Sequence, residues 1–298
     1  MKHWKPAVIA ALWSGALYAA PMPVVASFSI LGDVAQQIGG ERVAVQSLVC
    51  ANQDAHAYNL TSSDIKKIRE ARLGLLNGLG LEKAELQRAV KQSKVASAEA
   101  TAGIKPLAAD EHHHEHNHGH DHDHGEFDPH VWNDPVLMQR YAANVAIALI
   151  KADPAGSRYY QQRFKDYQNV LNQLNNYANQ QFGAVAPAKR KVLTGHDSFA
   201  YLGKRYQVKF ISPQGVSSEA EPSARQITAI IRQIKAENVK AVFTENIKDG
   251  RMIARIAKET GVKVSGGLYA DALSSGAPAG TYADMFRYNV RVMSEAMK

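Results

Sequence analysis

Short apolar segments with strand character alternate with helical segments along most of the chain, and this alternation restricts the possible fold more than any other feature. The predicted strands cover residues 24–31, 43–49, 73–78, 191–195, 208–213, 239–245 and 262–267. Helix-start signals such as Thr61 and Ser223 stand between them. Strands that alternate with helices favour a parallel sheet with helices on both faces, so we predict an α/β fold.

A long uninterrupted helix is predicted in the middle of the chain, opening at Asp153-Pro154. Its apolar residues recur at steps of three and four, namely Tyr160, Phe164, Tyr167, Leu171, Leu174, Ala178 and Phe182. No glycine or proline occurs between Gly156 and Gly183, so the helix would be roughly 40 Å long. One apolar face held over this length predicts a rigid helix that joins two similar α/β lobes.

The expected organisation places two lobes of similar size around this helix. The N-terminal lobe covers residues 21–153, the linking helix 154–183 and the C-terminal lobe 184–298. Asp134 is expected to cap a helix that precedes the linking helix, with Pro135 at its first position.

The N-terminus has the pattern of an export signal. Lys2 and Lys5 supply a positive start, and an apolar stretch over residues 7–20 follows. That stretch is too short for a permanent membrane anchor. We therefore predict a signal peptide over residues 1–20 and a periplasmic protein; the alternative is a buried helix of the fold.

Charge and cysteine content narrow the classes of function. The formal net charge is +7, but the basic residues are scattered and are not interleaved with aromatic residues, so no nucleic-acid binding is expected. Residues 106–139 contain eight acidic residues and no Lys or Arg, which suits a cation. The single cysteine, Cys50, cannot form an internal disulfide and is expected to be a small buried apolar residue.

A histidine-rich loop is expected over residues 110–127. Its eight histidines stand among acidic and small polar residues: His112, His113, His114, His116, His118, His120, His122 and His124. Such a composition cannot bury a core, so the segment should be solvated. Neutral imidazole binds zinc, copper and nickel, so the loop is a candidate for weak secondary metal binding. The alternative is a solvated loop whose affinity for metals is incidental.

Three further histidines and one aspartate stand near predicted strand ends: His56, His130, His196 and Asp271. Ligands of open α/β sheets bind beyond the carboxyl ends of the strands. Two of these residues precede the linking helix and two follow it, so a site built from them would lie in the cleft between the lobes. Three imidazoles and a carboxylate complete a four-coordinate zinc site. Each residue taken alone could instead be structural, as a satisfied histidine or a turn aspartate.

Carboxylates near these histidines have two possible roles. Metal-bound imidazoles need partners for their outer nitrogens, and Asp197 and Glu245 are candidates beside the backbone. Glu245 is also the one general base that we would name for a hydrolytic zinc enzyme. However, the one HExxH spacing, residues 114–118, falls in the histidine-rich tract that we expect to be a solvated loop and not a helix, and the chain has no GxSxG elbow, so we do not expect an enzyme.

Seven motifs together carry a family resemblance: QDAHAYNLTSSD, NGLGLE, DPHVWNDP, TGHDSFAYLGKRYQV, EAEPSARQI, FTENI and LYADALS. With them the chain resembles, over nearly its whole length after the signal, the zinc- and manganese-binding solute-binding proteins of ABC transporters. The resemblance implies metal ligands at His56, His130, His196 and Asp271. It also implies a monomer that delivers Zn²⁺ to a membrane permease and its ATPase.

The resemblance also bears on which metal is bound. Manganese-preferring members often carry a carboxylate where His196 stands, whereas zinc-preferring members often carry histidine there and a His/Asp-rich loop before the second ligand. Imidazole donors likewise favour zinc over manganese. The first-ligand loop departs from the family pattern, with Ala55 before His56 and Asn59-Leu60 where Glu-Pro is usual. The alternatives are a periplasmic zinc buffer or chaperone, or a manganese-binding member of the same family.

Overall fold

A computed structural model describes residues 20–109 and 126–298 of the chain. Within them lie two four-stranded parallel sheets, one on each side of a long helix. The expected signal peptide, except for Ala20, and the histidine tract from His112 to His124 lie outside the described residues.

The first sheet contains the strands in the order β2-β1-β3-β4. Its elements are β1 (Met22–Phe28), α1 (Ser29–Gly39), β2 (Val43–Val49), α2 (Ser62–Glu70), β3 (Leu73–Leu76), α3 (Ala84–Ser93) and β4 (Ala96–Glu99). The register places Val24 opposite both Val45 and Leu73, so β1 is a central strand. Helix α2 begins with a capping box in which Thr61 and Asp64 satisfy each other's backbone amides, as its sequence predicted.

The join between β1 and α1 differs from the prediction. We expected a strand through Leu31, but the strand ends at Phe28. Ile30 and Leu31 belong to helix α1, where both side chains are wholly buried. A short apolar run does not by itself distinguish a buried strand from the first turn of a buried helix. The helix lies directly against β2, since a Cβ atom on Gly32 would stand 2.2 Å from the Ser47 Oγ.

Helices α4 (Leu137–Ala152) and α5 (Ser157–Gly183) connect the two sheets. The Asp134 carboxylate accepts hydrogen bonds from the backbone amides of Val136 and Leu137, so it caps α4 although the helix begins two residues later than expected. Helix α5 contains 27 residues, and six of its seven predicted apolar positions are buried; the exception, Phe164, is half-buried. The predicted linking helix is confirmed in type and length.

The second sheet has the order β6-β5-β7-β8. Its elements are β5 (Lys191–Leu193), α6 (Ala200–Tyr206), β6 (Lys209–Ile211), α7 (Ala224–Glu237), β7 (Ala241–Glu245), α8 (Arg251–Thr260), β8 (Gly266–Leu268) and the final helix α9 (Tyr282–Met297). Helix α5 packs against α9 as well as against α1 and α4. One continuous apolar core therefore extends from the first lobe across α5 into the second, and it fixes the two lobes on that side.

Cys50 is exposed, contrary to our expectation of a buried residue. It follows the last residue of β2 and opens the turn that leads to His56, where its backbone N–H donates to the Gln53 side chain over 2.9 Å. The position lies beyond the sheet, so no packed layer covers the thiol.

Strand β8 and three short elements were also poorly predicted. The strand expected over residues 262–267 begins only at Gly266, because Val262 instead closes the end of α8, where its N–H donates to the Ala257 carbonyl. Helices α3 and α6 and strand β4 were not predicted. Helix α3 buries only Leu86 and Val90, which leaves a weak periodic signal. No helix within the two described ranges is long and apolar enough to span a membrane.

Candidate metal site

Each of the four predicted ligands lies in a loop that the fold brings to the cleft between the sheets. His56 is in the loop after β2, His196 comes shortly after β5, and Asp271 shortly after β8. His130 directly precedes a short 3-10 turn, Val131–Asn133. Since all strands are parallel, the loops at their carboxyl ends meet at one edge of each sheet.

The four side chains converge on one point. Each offers one ligand atom, and these atoms all lie within 4.8 Å of one another. The Nε2 atoms of His56 and His130 are 3.2 Å apart. The Asp271 Oδ2 lies 3.0 Å from the His196 Nε2 and 3.5 Å from the His56 Nε2, and its Oδ1 lies 3.5 Å from the His130 Nε2.

These separations fit a tetrahedral metal ion. Zinc bonds to imidazole nitrogen and carboxylate oxygen of about 2.0–2.1 Å imply ligand atoms about 3.3 Å apart along the edges of the tetrahedron. The four distances above range from 3.0 to 3.5 Å. The other separations among the four ligand atoms lie within 4.8 Å, so the side chains must move closer together to surround one ion.

The site is almost closed to solvent. His130, His196 and Asp271 are fully buried, and His56 is 7% exposed. Both carboxylate oxygens of Asp271 and the Nε2 of His196 are buried without a hydrogen-bond partner of good geometry. A buried carboxylate without well-aligned donors is costly, and a cation held among the four side chains would remove that cost.

Two carboxylates hold imidazoles from behind. The Asp128 Oδ1 lies 2.7 Å from the His130 Nδ1, and the Glu245 Oε2 lies 2.6 Å from the His196 Nδ1. When Nδ1 donates its proton, the lone pair of Nε2 points into the site, which is the tautomer that binds a metal. Glu245 was one of the predicted partners. Asp128 was missed, although its position two residues before His130 was available as a signal.

The charges in the site are strongly coupled. Burial by itself lowers the pKa of His130, but the Asp271 and Asp128 carboxylates outweigh burial and raise it to about 9. The pKa of His196 is likewise raised well above its ordinary value, because Glu245 and Asp271 outweigh burial. The same histidines hold the pKa of Asp271 well below its usual range despite its burial. The site therefore retains an anionic carboxylate ready for a cation.

The histidine tract is attached close to this site. Ala108 and Phe127 form an antiparallel bridge, so the chain leaves and re-enters the described structure at adjacent positions. Tyr201 connects this point to the C-terminal lobe, since its hydroxyl accepts from the Leu107 amide and donates to the Asp128 carbonyl. The described chain thus stops at residue 109 and resumes at residue 126 close to Asp128, which holds His130.

Comparisons with known proteins agree with this architecture. A family described as ZnuA, zinc-uptake complex component A, periplasmic, matches residues 24–296. The manganese-binding lipoprotein MntA of Bacillus subtilis (strain 168) is 31% identical over 287 residues, which cover 93% of this chain and 90% of the relative. The manganese ABC transporter substrate-binding lipoprotein PsaA of Streptococcus anginosus is 27% identical, with 93% and 89% covered.

Solved structures give the same result. The periplasmic zinc binding protein TroA from Treponema pallidum superimposes with a TM-score of 0.85 at 26% identity, covering 94% of this chain and 99% of that one. A manganese-bound periplasmic metal binding protein from Candidatus Liberibacter asiaticus superimposes with a TM-score of 0.77 at 28% identity, covering 92% of this chain and 99% of that one. The chain thus belongs to the ZnuA family of metal-binding substrate-binding proteins of ABC transporters, which are not enzymes.

Proposed function

We propose that this chain captures Zn²⁺ in the interlobe cleft with His56, His130, His196 and Asp271 and delivers it to the permease of an ABC importer. The observation that carries this proposal is the Asp271 carboxylate. It is fully buried, accepts no hydrogen bond of good geometry and is surrounded by three imidazole nitrogens. A divalent cation with nitrogen and oxygen ligands satisfies all four groups at once.

Zinc is favoured over other metals by the donor set. Three neutral imidazoles and one carboxylate suit zinc, whereas manganese prefers sites richer in oxygen. In this site the two remaining carboxylates, Asp128 and Glu245, face the outer nitrogens and not the centre. They strengthen the imidazole donors and add no oxygen ligand.

Manganese is the second candidate cargo. Several relatives are named for manganese, including MntA and PsaA, and the structural neighbours include both a zinc binding protein and a manganese-bound protein. These names describe those proteins. Displacement of Mn²⁺ by Zn²⁺ would not separate the two cargoes, because zinc binds nearly any such site more tightly than manganese. Separate titrations with each metal decide for this chain: zinc as cargo predicts tight binding of Zn²⁺ and only weak binding of Mn²⁺ when Mn²⁺ is the sole metal present.

Delivery requires a location outside the cytoplasm and partners in the membrane. We propose that residues 1–20 direct export, that the protein acts in the periplasm as a monomer, and that the loaded form docks on a permease driven by its ATPase. The proposed working units are the lobes over residues 21–153 and 184–298 with the linking helix 154–183. The shared core along α5 limits hinge bending, so loops carry most of the closure.

The histidine tract acts, in this proposal, as a weak secondary zinc-binding segment that is not needed for the tight site. The described residues on either side of it meet at the bridge between Ala108 and Phe127. Removing residues 112–124 therefore leaves a short connection that can close without moving His130.

The decisive experiment measures zinc stoichiometry and affinity on residues 21–298, with and without residues 112–124. One tightly bound zinc that survives the deletion supports the cleft site, and additional weak zinc should disappear with the tract. His196→Ala should abolish tight binding, whereas His118→Ala, as the matched control in the tract, should not. Loss of all tight zinc on deletion would instead assign the function to the tract and favour a zinc buffer.

A further inference from the structure

The loops that carry the four proposed ligands differ in the hydrogen bonds that connect them across the cleft. Trp132, two residues after His130, donates its indole N–H over 2.8 Å to the carbonyl of Ala270, the residue before Asp271. The Tyr282 hydroxyl donates to the Trp132 carbonyl over 2.9 Å. Trp132, Ala270 and Tyr282 are fully buried. Buried hydrogen bonds therefore join the loops of His130 and Asp271 to each other.

His56 is held by a different kind of contact. The Asp54 Oδ1 accepts from the backbone amides of His56 and Ala57, over 2.9 and 3.3 Å, and so shapes the loop that carries the imidazole. The other oxygen of Asp54 accepts from the hydroxyl of Ser218, which belongs to the opposite lobe and is fully buried. This side-chain hydrogen bond ties the part of the loop that carries His56 to the C-terminal lobe. The start of the loop is held separately, since the Asn52 N–H donates to the Leu273 carbonyl over 2.8 Å and its side-chain oxygen accepts from Asn246 over 3.0 Å.

Ser218 lies in a segment over residues 212–221, here called the clasp, which contains no helix or strand. The buried Gln214 side chain donates to the carbonyls of Ser218 and Ala220, and Lys248 also donates to the Ser218 carbonyl. These contacts hold the clasp in one shape although it lacks regular structure.

The clasp also reaches the other side of the site. The Gly215 carbonyl accepts the backbone N–H of Asp197, which follows His196. At its outer edge, Glu219 forms a 2.8 Å ion pair with Lys83 of the N-terminal lobe. The clasp therefore runs from the His196 loop to the His56 loop and covers the side of the site where His56, the most exposed of the four side chains, is located.

We propose that the hydrogen bond between Ser218 and Asp54 positions His56 and sets the rate at which bound metal leaves the cleft. This inference rests on the proposed function. Opening the clasp frees the part of the loop that carries His56, while Asn52 stays bonded to Leu273 and His130 and Asp271 stay joined through Trp132. The ion then loses one ligand and becomes accessible from that side. Ser218 is a positioning residue: it acts through Asp54 and does not touch the metal.

The test compares zinc dissociation from Ser218→Ala and from the unchanged protein, measured by stopped-flow transfer to an excess of a chromogenic chelator. We expect the dissociation rate to rise about 10-fold, in line with the loss of a hydrogen bond to a charged acceptor, with one zinc still bound per chain. Ser217→Ala is the matched control. The Ser217 hydroxyl accepts only the Glu219 amide within the clasp, so its loss should leave the rate unchanged.

A double-mutant cycle with Asp54→Ala gives the coupling directly. If Ser218 acts through Asp54, adding Ser218→Ala to Asp54→Ala should produce no further increase in rate. Lys83→Gln tests the clasp at the protein surface, so its result does not depend on whether the buried variants fold. It removes the ion pair to Glu219 and should raise the zinc dissociation rate less, by about twofold.

Two results have different meanings. If the unchanged protein binds no zinc tightly, the proposed function fails. If it binds zinc but Ser218→Ala and Lys83→Gln both release it at the unchanged rate, or if the Ser218 and Asp54 effects multiply independently, only the clasp proposal is overturned.

Discussion

Glu245 contacts His196 through both of its carboxylate oxygens. One oxygen lies 2.6 Å from the imidazole Nδ1, and the other accepts the His196 backbone N–H over 3.2 Å and the Gly195 N–H over 2.8 Å. Because the Glu245 carboxylate holds both the backbone at Gly195 and His196 and the His196 imidazole, the imidazole has little freedom to rotate. Glu245 lies at the end of β7, so a neighbouring strand orients a ligand that follows β5.

Replacing this carboxylate should weaken metal binding without removing a ligand. Glu245→Gln keeps an acceptor for the imidazole but loses the charge that strengthens it as a donor. We expect zinc affinity to fall about 10–100-fold, as for other outer partners of metal-bound histidine. Competition with a chelator of known affinity measures the change. An unchanged affinity would show that the backbone alone orients His196.

Asp271→Asn should have a larger effect, because it removes the only negative charge among the four groups around the centre. We expect the affinity for zinc to fall by more than about 100-fold, beyond the loss from an outer partner. Asp166→Asn is the matched control, since Asp166 is an exposed aspartate on α5 that accepts only from Gln162. Equal zinc affinities of the two variants would contradict a role of Asp271 as a ligand.

Metal binding should release protons near neutral pH. The carboxylates of Asp271 and Asp128 overcome the effect of burial and raise the pKa of His130 to about 9, so the imidazole is charged at neutral pH and must lose its proton to bind. We expect release of roughly one to two protons per zinc, measured by calorimetric titration in buffers of different ionisation enthalpy. The absence of any buffer dependence would contradict the charged state.

The stability of the metal-free and metal-loaded forms should change with pH in opposite directions. The folded-state pKa of His130, about 9, lies above its ordinary value of 6.5. Its protonation therefore stabilises the metal-free protein fully below about pH 6.5, and this contribution is lost as the pH rises through about 9. Acid instead removes metal, because protonated imidazole cannot bind it. Thermal unfolding with and without a chelator tests both trends.

Tyr282→Phe should destabilise the contact between the lobes. Its hydroxyl is fully buried and donates to the Trp132 carbonyl, so the change leaves a buried acceptor without its partner. We expect a loss of about 1–2 kcal/mol in the free energy of unfolding, measured with urea. Tyr159→Phe is the control, because that hydroxyl only accepts the amide of the exposed Glu41, and it should cost less than about 0.5 kcal/mol.

Elements with a strong local signal could be predicted from the sequence. Strand β2 has the predicted bounds, and α5 has the predicted apolar face. Their periodicity or capping residues act over a few neighbouring positions. Where packing between distant segments decides the secondary structure or the burial of a residue, the prediction was wrong. Ile30 and Leu31 lie in a helix and not in a strand, and Cys50 is exposed and not buried.

The sequence by itself determined which residues were able to form the site. His56, His130 and His196 are its only histidines outside the tract and His3. His56 and His196 follow strand ends, and His130 directly precedes a short 3-10 turn. Only the tertiary structure decided that these three and Asp271 meet within 4.8 Å, that Asp128 and Glu245 stand behind two of them, and that Ser218 reaches Asp54. The physical reason is that these contacts join segments far apart in the chain, and the shared core along α5 brings those segments together.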